Sequence, residues 1–174
     1  VGVLPRARAV ILVAIMVVTS VVVQAAPGHA VDYWEISARH SWKCLDVAGF
    51  GTADGTDVFQ WSCTGAANQR WSLVDSGDGR TVYIRSQHSG KCLDVAGAST
   101  ANGADVFQWT CLGTANQKWF LQSTSAQWFI AIAQHSGKCL DVAGSGTADG
   151  TNVFQWSCFD PRHANQEWQM AAAL

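Results

Sequence analysis

One block of sequence is written three times, and that repetition limits the possible fold more than any other feature of the chain. Cys44-Leu45-Asp46-Val47-Ala48-Gly49 returns as Cys92-Leu93-Asp94-Val95-Ala96-Gly97 and as Cys139-Leu140-Asp141-Val142-Ala143-Gly144, in steps of 48 and then 47 residues. A second cysteine follows each first one at a spacing of 19, closing Val58-Phe59-Gln60-Trp61-Ser62-Cys63, Val106-Phe107-Gln108-Trp109-Thr110-Cys111 and Val153-Phe154-Gln155-Trp156-Ser157-Cys158. Each unit ends on Asn68-Gln69-Arg70-Trp71, Asn116-Gln117-Lys118-Trp119 or Asn165-Gln166-Glu167-Trp168. A unit this short cannot bury an apolar face by itself, so the three copies must share one core.

The local pattern is β throughout. Runs such as Thr81-Val82-Tyr83-Ile84 and Trp128-Phe129-Ile130 alternate with turn clusters such as Asp75-Ser76-Gly77-Asp78-Gly79, and no helical period is sustained. Three units are too few for an ordinary propeller, which leaves an all-β threefold barrel with repeats over about 31–78, 79–126 and 127–174. Six cysteines allow about 15 pairings, but threefold repetition favours one bridge inside each unit: Cys44–Cys63, Cys92–Cys111 and Cys139–Cys158. Each closes a loop that the chain-entropy model values at roughly 3 kcal/mol.

Disulfides require an oxidising compartment, and the first 30 residues have the form of an export signal. Arg6 and Arg8 precede an apolar run from Ala9 to Val23, broken by Thr19 and Ser20, and small residues follow. The run falls short of the roughly 20 apolar residues that span a bilayer. Residues 1–30 are therefore expected to be a signal peptide, cleaved after Ala30 or Ala25, and the protein to be secreted, with no membrane association afterwards. The intact mass of the secreted chain separates a start at Val31 from one at Ala26. Val1 where a methionine is usual fits an alternative bacterial start codon. Loss of the leader leaves 9 Lys+Arg against 13 Asp+Glu. That net negative charge argues against a nucleic-acid partner.

Hydrolytic chemistry finds no repeated basis. A glycosidase needs two carboxylates about 5 to 9 Å apart, yet Glu35 and Glu167 do not recur, and Asp57 and Asp105 become Asn152 in the third copy. No serine-nucleophile elbow, phosphate loop or zinc-binding helix motif is present. Neither catalysis nor a cofactor or metal is expected. Asp54, Asp57, Asp105 and Asp149 stand in glycine-rich turns and are expected to be turn formers. His40, His88 and His135, four residues before each first cysteine, are expected to be solvated turn residues, and Lys43, Lys91 and Lys138 exposed charges.

The Cys-Leu-Asp start, the Gln-Trp-x-Cys segment and the Asn-Gln-x-Trp ending together closely resemble the ricin B-chain-like lectins. These are β-trefoil carbohydrate-binding modules with a threefold Gln-x-Trp repeat. The resemblance covers residues 31–174 in register three times. It implies one shallow sugar site per repeat. An Asp accepts hydrogen bonds from sugar hydroxyls, an aromatic before the second cysteine stacks on the ring, and an Asn adds a polar contact. The Gln buttresses the Asp, and the closing Trp packs in the core.

Carried over, the first site uses Asp46, Trp61, Asn68 and Gln69; the second Asp94, Trp109, Asn116 and Gln117; the third Asp141, Trp156, Asn165 and Gln166. The partner is then a mono-, oligo- or polysaccharide, of galactose type or from plant-type chains, bound by a monomer. Two departures stand out. Phe59, Phe107 and Phe154 occupy the place of a family Gln, and the chain's own Gln60, Gln108 and Gln155 come one residue later, on the opposite face of the strand. The third repeat also carries two extra residues within Phe159-Asp160-Pro161-Arg162-His163. The alternatives are a protein-binding trefoil such as a protease inhibitor, and a scaffold whose sites no longer bind.

Overall fold

A computed structural model describes residues 32–172, so the expected leader over 1–30 and its cleavage positions lie outside the described residues. Twelve antiparallel strands follow one another: β1 (Trp34–Ala38), β2 (Cys44–Val47), β3 (Thr56–Trp61), β4 (Arg70–Asp75), β5 (Val82–Ser86), β6 (Cys92–Val95), β7 (Ala104–Trp109), β8 (Trp119–Ser123), β9 (Phe129–Ala133), β10 (Cys139–Val142), β11 (Thr151–Trp156) and β12 (Trp168–Ala172). Each repeat contributes four.

Six strands close a barrel. β4 pairs with β5, β8 with β9 and β12 with β1 along five-residue ladders. Shorter pairings, β1 with β4, β5 with β8 and β9 with β12, complete the ring. The other six form hairpins, β2–β3, β6–β7 and β10–β11, whose second strands pair with one another in a triangle. This is a β-trefoil. Closure leaves the barrel strands no free edge, which removes the usual route to strand-edge aggregation.

The shared core is built from the same residues three times. Leu45, Val47, Val58 and Trp71 pack with Leu93, Val95, Val106 and Trp119 and with Leu140, Val142, Val153 and Trp168, all buried. The closing indoles also satisfy backbone: Nε1 of Trp71, Trp119 and Trp168 donates to the carbonyls of Leu45, Leu93 and Leu140 at 2.9, 3.1 and 3.1 Å. The three expected disulfides are present, Cys44–Cys63, Cys92–Cys111 and Cys139–Cys158, each tying the start of a hairpin to a cysteine just beyond its end.

What joins one repeat to the next corrects several expectations. Gln60 is fully buried; its Nε2 donates to the carbonyls of Gly146 and Ala148 in the third repeat, and its Oε1 accepts from Ser41 Oγ. Gln108 clasps Gly51 and Ala53 of the first repeat, and Gln155 clasps Ser99 and Ala101 of the second. The amide on the inward face of the strand is thus a fastener between repeats. The histidines are half-buried turn residues that act as fasteners as well: Nε2 of His40, His88 and His135 donates to the carbonyls of Gly146, Phe50 and Ser99.

Lys43 and Lys91 are not free charges. They pair with Asp149 and Asp54 at 2.7 and 2.6 Å. Those aspartates also accept from the backbone and hydroxyl of Ser62 and Thr110, so they bind across the repeat boundary as well as forming turns. Asn102 takes the same place at the remaining boundary, where it accepts from Ser157. Among the described residues no group of three or more His, Cys, Asp or Glu is arranged to hold a metal.

Candidate carbohydrate site

Hairpin register assembles the candidate site. In the β2–β3 ladder Asp46 lies opposite Phe59, and the same pairing puts Asp94 opposite Phe107 and Asp141 opposite Phe154. Side chains two apart on a strand share a face, so Trp61 stands beside Phe59 above the aspartate. The ring centroids of Phe59 and Trp61 are 5.6 Å apart, with 5.5 and 5.6 Å in the other two copies. Trp61 is 41% exposed, in contrast to the fully buried Trp71. The edge of each of these indoles lies near a turn glycine of a different repeat: Trp61 near Gly150, Trp109 near Gly55 and Trp156 near Gly103. The plate is therefore held in place before any ligand arrives.

The Asn-Gln pair reaches the aspartate from a single 3₁₀ turn, Ala67–Gln69 in the first repeat. Asn68 Nδ2 donates to Asp46 Oδ1 at 3.0 Å and Gln69 Nε2 to Asp46 Oδ2 at 2.7 Å. The second copy has 2.9 and 2.8 Å, the third 3.0 and 2.7 Å. Each Gln is buried and also donates to a backbone carbonyl, while its Oε1 accepts from Thr64, Leu112 or Phe159 backbone N–H. It is the support for the carboxylate. A carboxylate has about four lone-pair sites, and these side-chain donors occupy one on each oxygen. Asn68 Oδ1 and Asn165 Oδ1 are buried with no hydrogen-bond partner among the described residues.

Burial raises the pKa of Asp46, Asp94 and Asp141, against the pull of the Gln and Asn hydrogen bonds. Asp141 is pushed up to about 6, with His163 nearby opposing the rise. Each hollow thus holds a buried carboxylate acceptor, and that of Asp141, with its pKa near 6, is mostly ionised at pH 7.

Ten of the twelve expected site residues line three separate hollows, one per repeat, with Gln117 and Gln166 buried behind their aspartates. The first is lined by Asp46, Trp61 and Asn68 together with Phe59, Phe50 and Thr64. The second has Asp94, Trp109, Asn116, Phe107, Ala98 and Leu112. In the third, Asp141, Trp156, Asn165 and Phe154 meet Phe159 and His163. The phenylalanine beside each Trp was legible in the sequence as an apolar wall. Phe50, Ala98 and Ser145, the rim residues after the left-handed glycine of each repeat, were not, because nothing in the repeat marks them as neighbours of the Trp.

A closed threefold trefoil with one indole-and-carboxylate hollow per repeat defines a class of carbohydrate-binding module. The sequence pattern of the family described as "Ricin-type beta-trefoil lectin domain-like" matches residues 22–109, 82–156 and 115–173 in overlapping stretches. The chain belongs to that family.

A designed threefold-symmetric protein, ThreeFoil, is 45% identical over 80% of this chain and 97% of its own, with a TM-score of 0.76. An exo-β-1,3-galactanase from Clostridium thermocellum is 30% identical with a TM-score of 0.77; the match takes in 81% of this chain and 30% of that one. The ricin B-like lectin of Macrolepiota procera, solved in complex with lactose, shares the fold at 20% identity and a TM-score of 0.69, over 86% and 99% of the two chains. Among curated proteins, the probable lipoprotein EnvE of Salmonella typhimurium is 56% identical over 34 residues, 20% of each chain.

Proposed function

We propose that this protein is a secreted, non-catalytic lectin that binds galactose-type sugars or plant-type polysaccharide weakly and multivalently through up to three shallow sites. The observation that carries the reading is the triple recurrence of a partly exposed indole over a carboxylate locked by an Asn and a Gln. A pyranose has an apolar C–H face and a rim of hydroxyls, so it needs a flat aromatic plate with acceptors at its edge. Stacking at about 1 kcal/mol and some three hydrogen bonds at roughly 1 kcal/mol each amount to about 4 kcal/mol, a millimolar site. Three such sites on one rigid body raise retention on a long chain without any new contact. The β-1,3-galactanase and the lactose-bound lectin support the galactose class. A glycan array carrying β-galactosides, galactans and xylans tests the reading. Signal on galactose-ended or plant-type glycans is expected, and an array dark throughout overturns it.

The sites differ in how they respond to acid. With its pKa raised to about 6, Asp141 is ionised at pH 7 and mostly protonated at pH 5. If the sugar takes the ionised form, linkage makes the third site about tenfold weaker at pH 5 than at pH 7. The sign for stability is opposite: a carboxyl raised in the fold favours folding at acid pH, and that contribution is lost as pH rises through about 6. Calorimetric titration with a short sugar at the two pH values checks this, through early loss of one site from the stoichiometry.

A further inference from the structure

The three hollows share a floor and a plate but not a rim. At one rim position, reached from the turn after β2, β6 or β10, stand Phe50, Ala98 and Ser145. At another, just past the second cysteine, stand Thr64, Leu112 and Phe159. The first site therefore has an aromatic on one rim loop. The third has one on the other loop. The second has none.

Neither aromatic is demanded by the fold. Phe50 adopts a left-handed φ of 55°, and Ala98 and Ser145 build the same turn at 50° and 53° with small side chains. A bulky residue there costs on the order of 1 kcal/mol of backbone strain, yet the ring is 53% exposed, with His88 edge-on at 5.4 Å as its ring partner. Strain held by a ring that buries little points to use at the surface. In the third repeat the longer segment folds His163 onto Phe159 with ring centroids 4.1 Å apart and planes 17° from parallel. Both rings line the hollow of Trp156. The corresponding segments of the other repeats offer Thr64 and Leu112, neither aromatic.

A sugar ring stacked on the indole would also meet the neighbouring phenylalanine and the aspartate that line the same hollow. Asp, Asn and Gln close the floor, so the rest of a glycan must leave over the rim. We propose that Phe50 and the Phe159–His163 pair are specificity-determining second plates, which let the first and third sites hold two consecutive sugar units while the second site holds one. The proposal rests on the carbohydrate-binding reading above. It divides the chain's three sites into a single-unit site and two extended sites that follow the glycan over different rim loops.

The indole N–H signals of Trp61, Trp109 and Trp156 report the three sites separately in protein-observed NMR. Titration of the wild-type protein with galactose and then with β-1,3-galactobiose gives the gain from the second unit at each. One added stack of about 1 kcal/mol corresponds to about fivefold tighter binding. That gain is expected at the Trp61 and Trp156 signals and not at Trp109. Phe50→Gly should remove it at the first site alone while leaving Tm roughly unchanged, since relief of strain offsets the added chain freedom. Phe159→Ala should remove it at the third site alone. Equal gains at all three sites, or gains that survive both substitutions, overturn the proposal. If neither sugar moves any of the three indole signals, the carbohydrate reading itself fails and this proposal falls with it.

Discussion

Replacing Trp61, Trp109 and Trp156 together by alanine is expected to weaken retention on immobilised galactan by about a hundredfold while leaving a folded protein. Each substitution removes one stack of about 1 kcal/mol, or about fivefold in affinity. Three losses multiply when the sites act on one polymer. Single and double variants should therefore fall stepwise between parent and triple variant. Fold retention follows from location: these indoles lie at the surface, outside the packed core, and Phe59, Phe107 and Phe154 remain to cover the hairpins. Affinity chromatography beside a thermal melt reads both quantities. A folded triple variant retained like the parent would mean that sugars do not stack on these residues.

Trp71→Ala should instead unfold the domain or nearly so. Trp71 is fully buried where the three repeats meet, and its Nε1 donates to the Leu45 carbonyl. Truncating a buried Trp costs roughly 3–5 kcal/mol in lost burial and cavity. The abandoned carbonyl adds about 1–3 kcal/mol. A small domain has only about 5–15 kcal/mol in total. Trp119→Ala and Trp168→Ala should cost the same within error, because each occupies the equivalent place and makes the equivalent hydrogen bond. Urea unfolding monitored by fluorescence of the remaining tryptophans measures the loss. A cost near that of a surface substitution would rule out a common core built on these three rings.

These two predictions separate tryptophans that the sequence had already separated. The Trp that closes Asn-Gln-x-Trp goes to the core, and the Trp before the second cysteine goes to the surface. Period-two alternation decides this locally: in β3, Val58 and Gln60 face inward and are buried, while Phe59 and Trp61 face the hollow. The repeat itself made a threefold barrel and the three intra-repeat bridges readable, because the partners recur at fixed spacing within one unit, while the trefoil and the support of Asp by Gln came from the resemblance to the ricin B-chain-like lectins. What lay beyond reach involves partners in different units. Gln60 and Gly146 are 86 positions apart, and Lys43 and Asp149 are 106 apart. No spacing within a repeat announces such a contact. Only closure of the barrel brings the end of one unit against the start of another, and so turns buried Gln, His and Lys–Asp groups into fasteners. The rim was hidden for a related reason. Threefold repetition directs attention to what is the same in each copy, whereas Phe50, Leu112 and the Phe159–His163 stack differ between copies, and it took the folded loops to bring them to the edge of a common site.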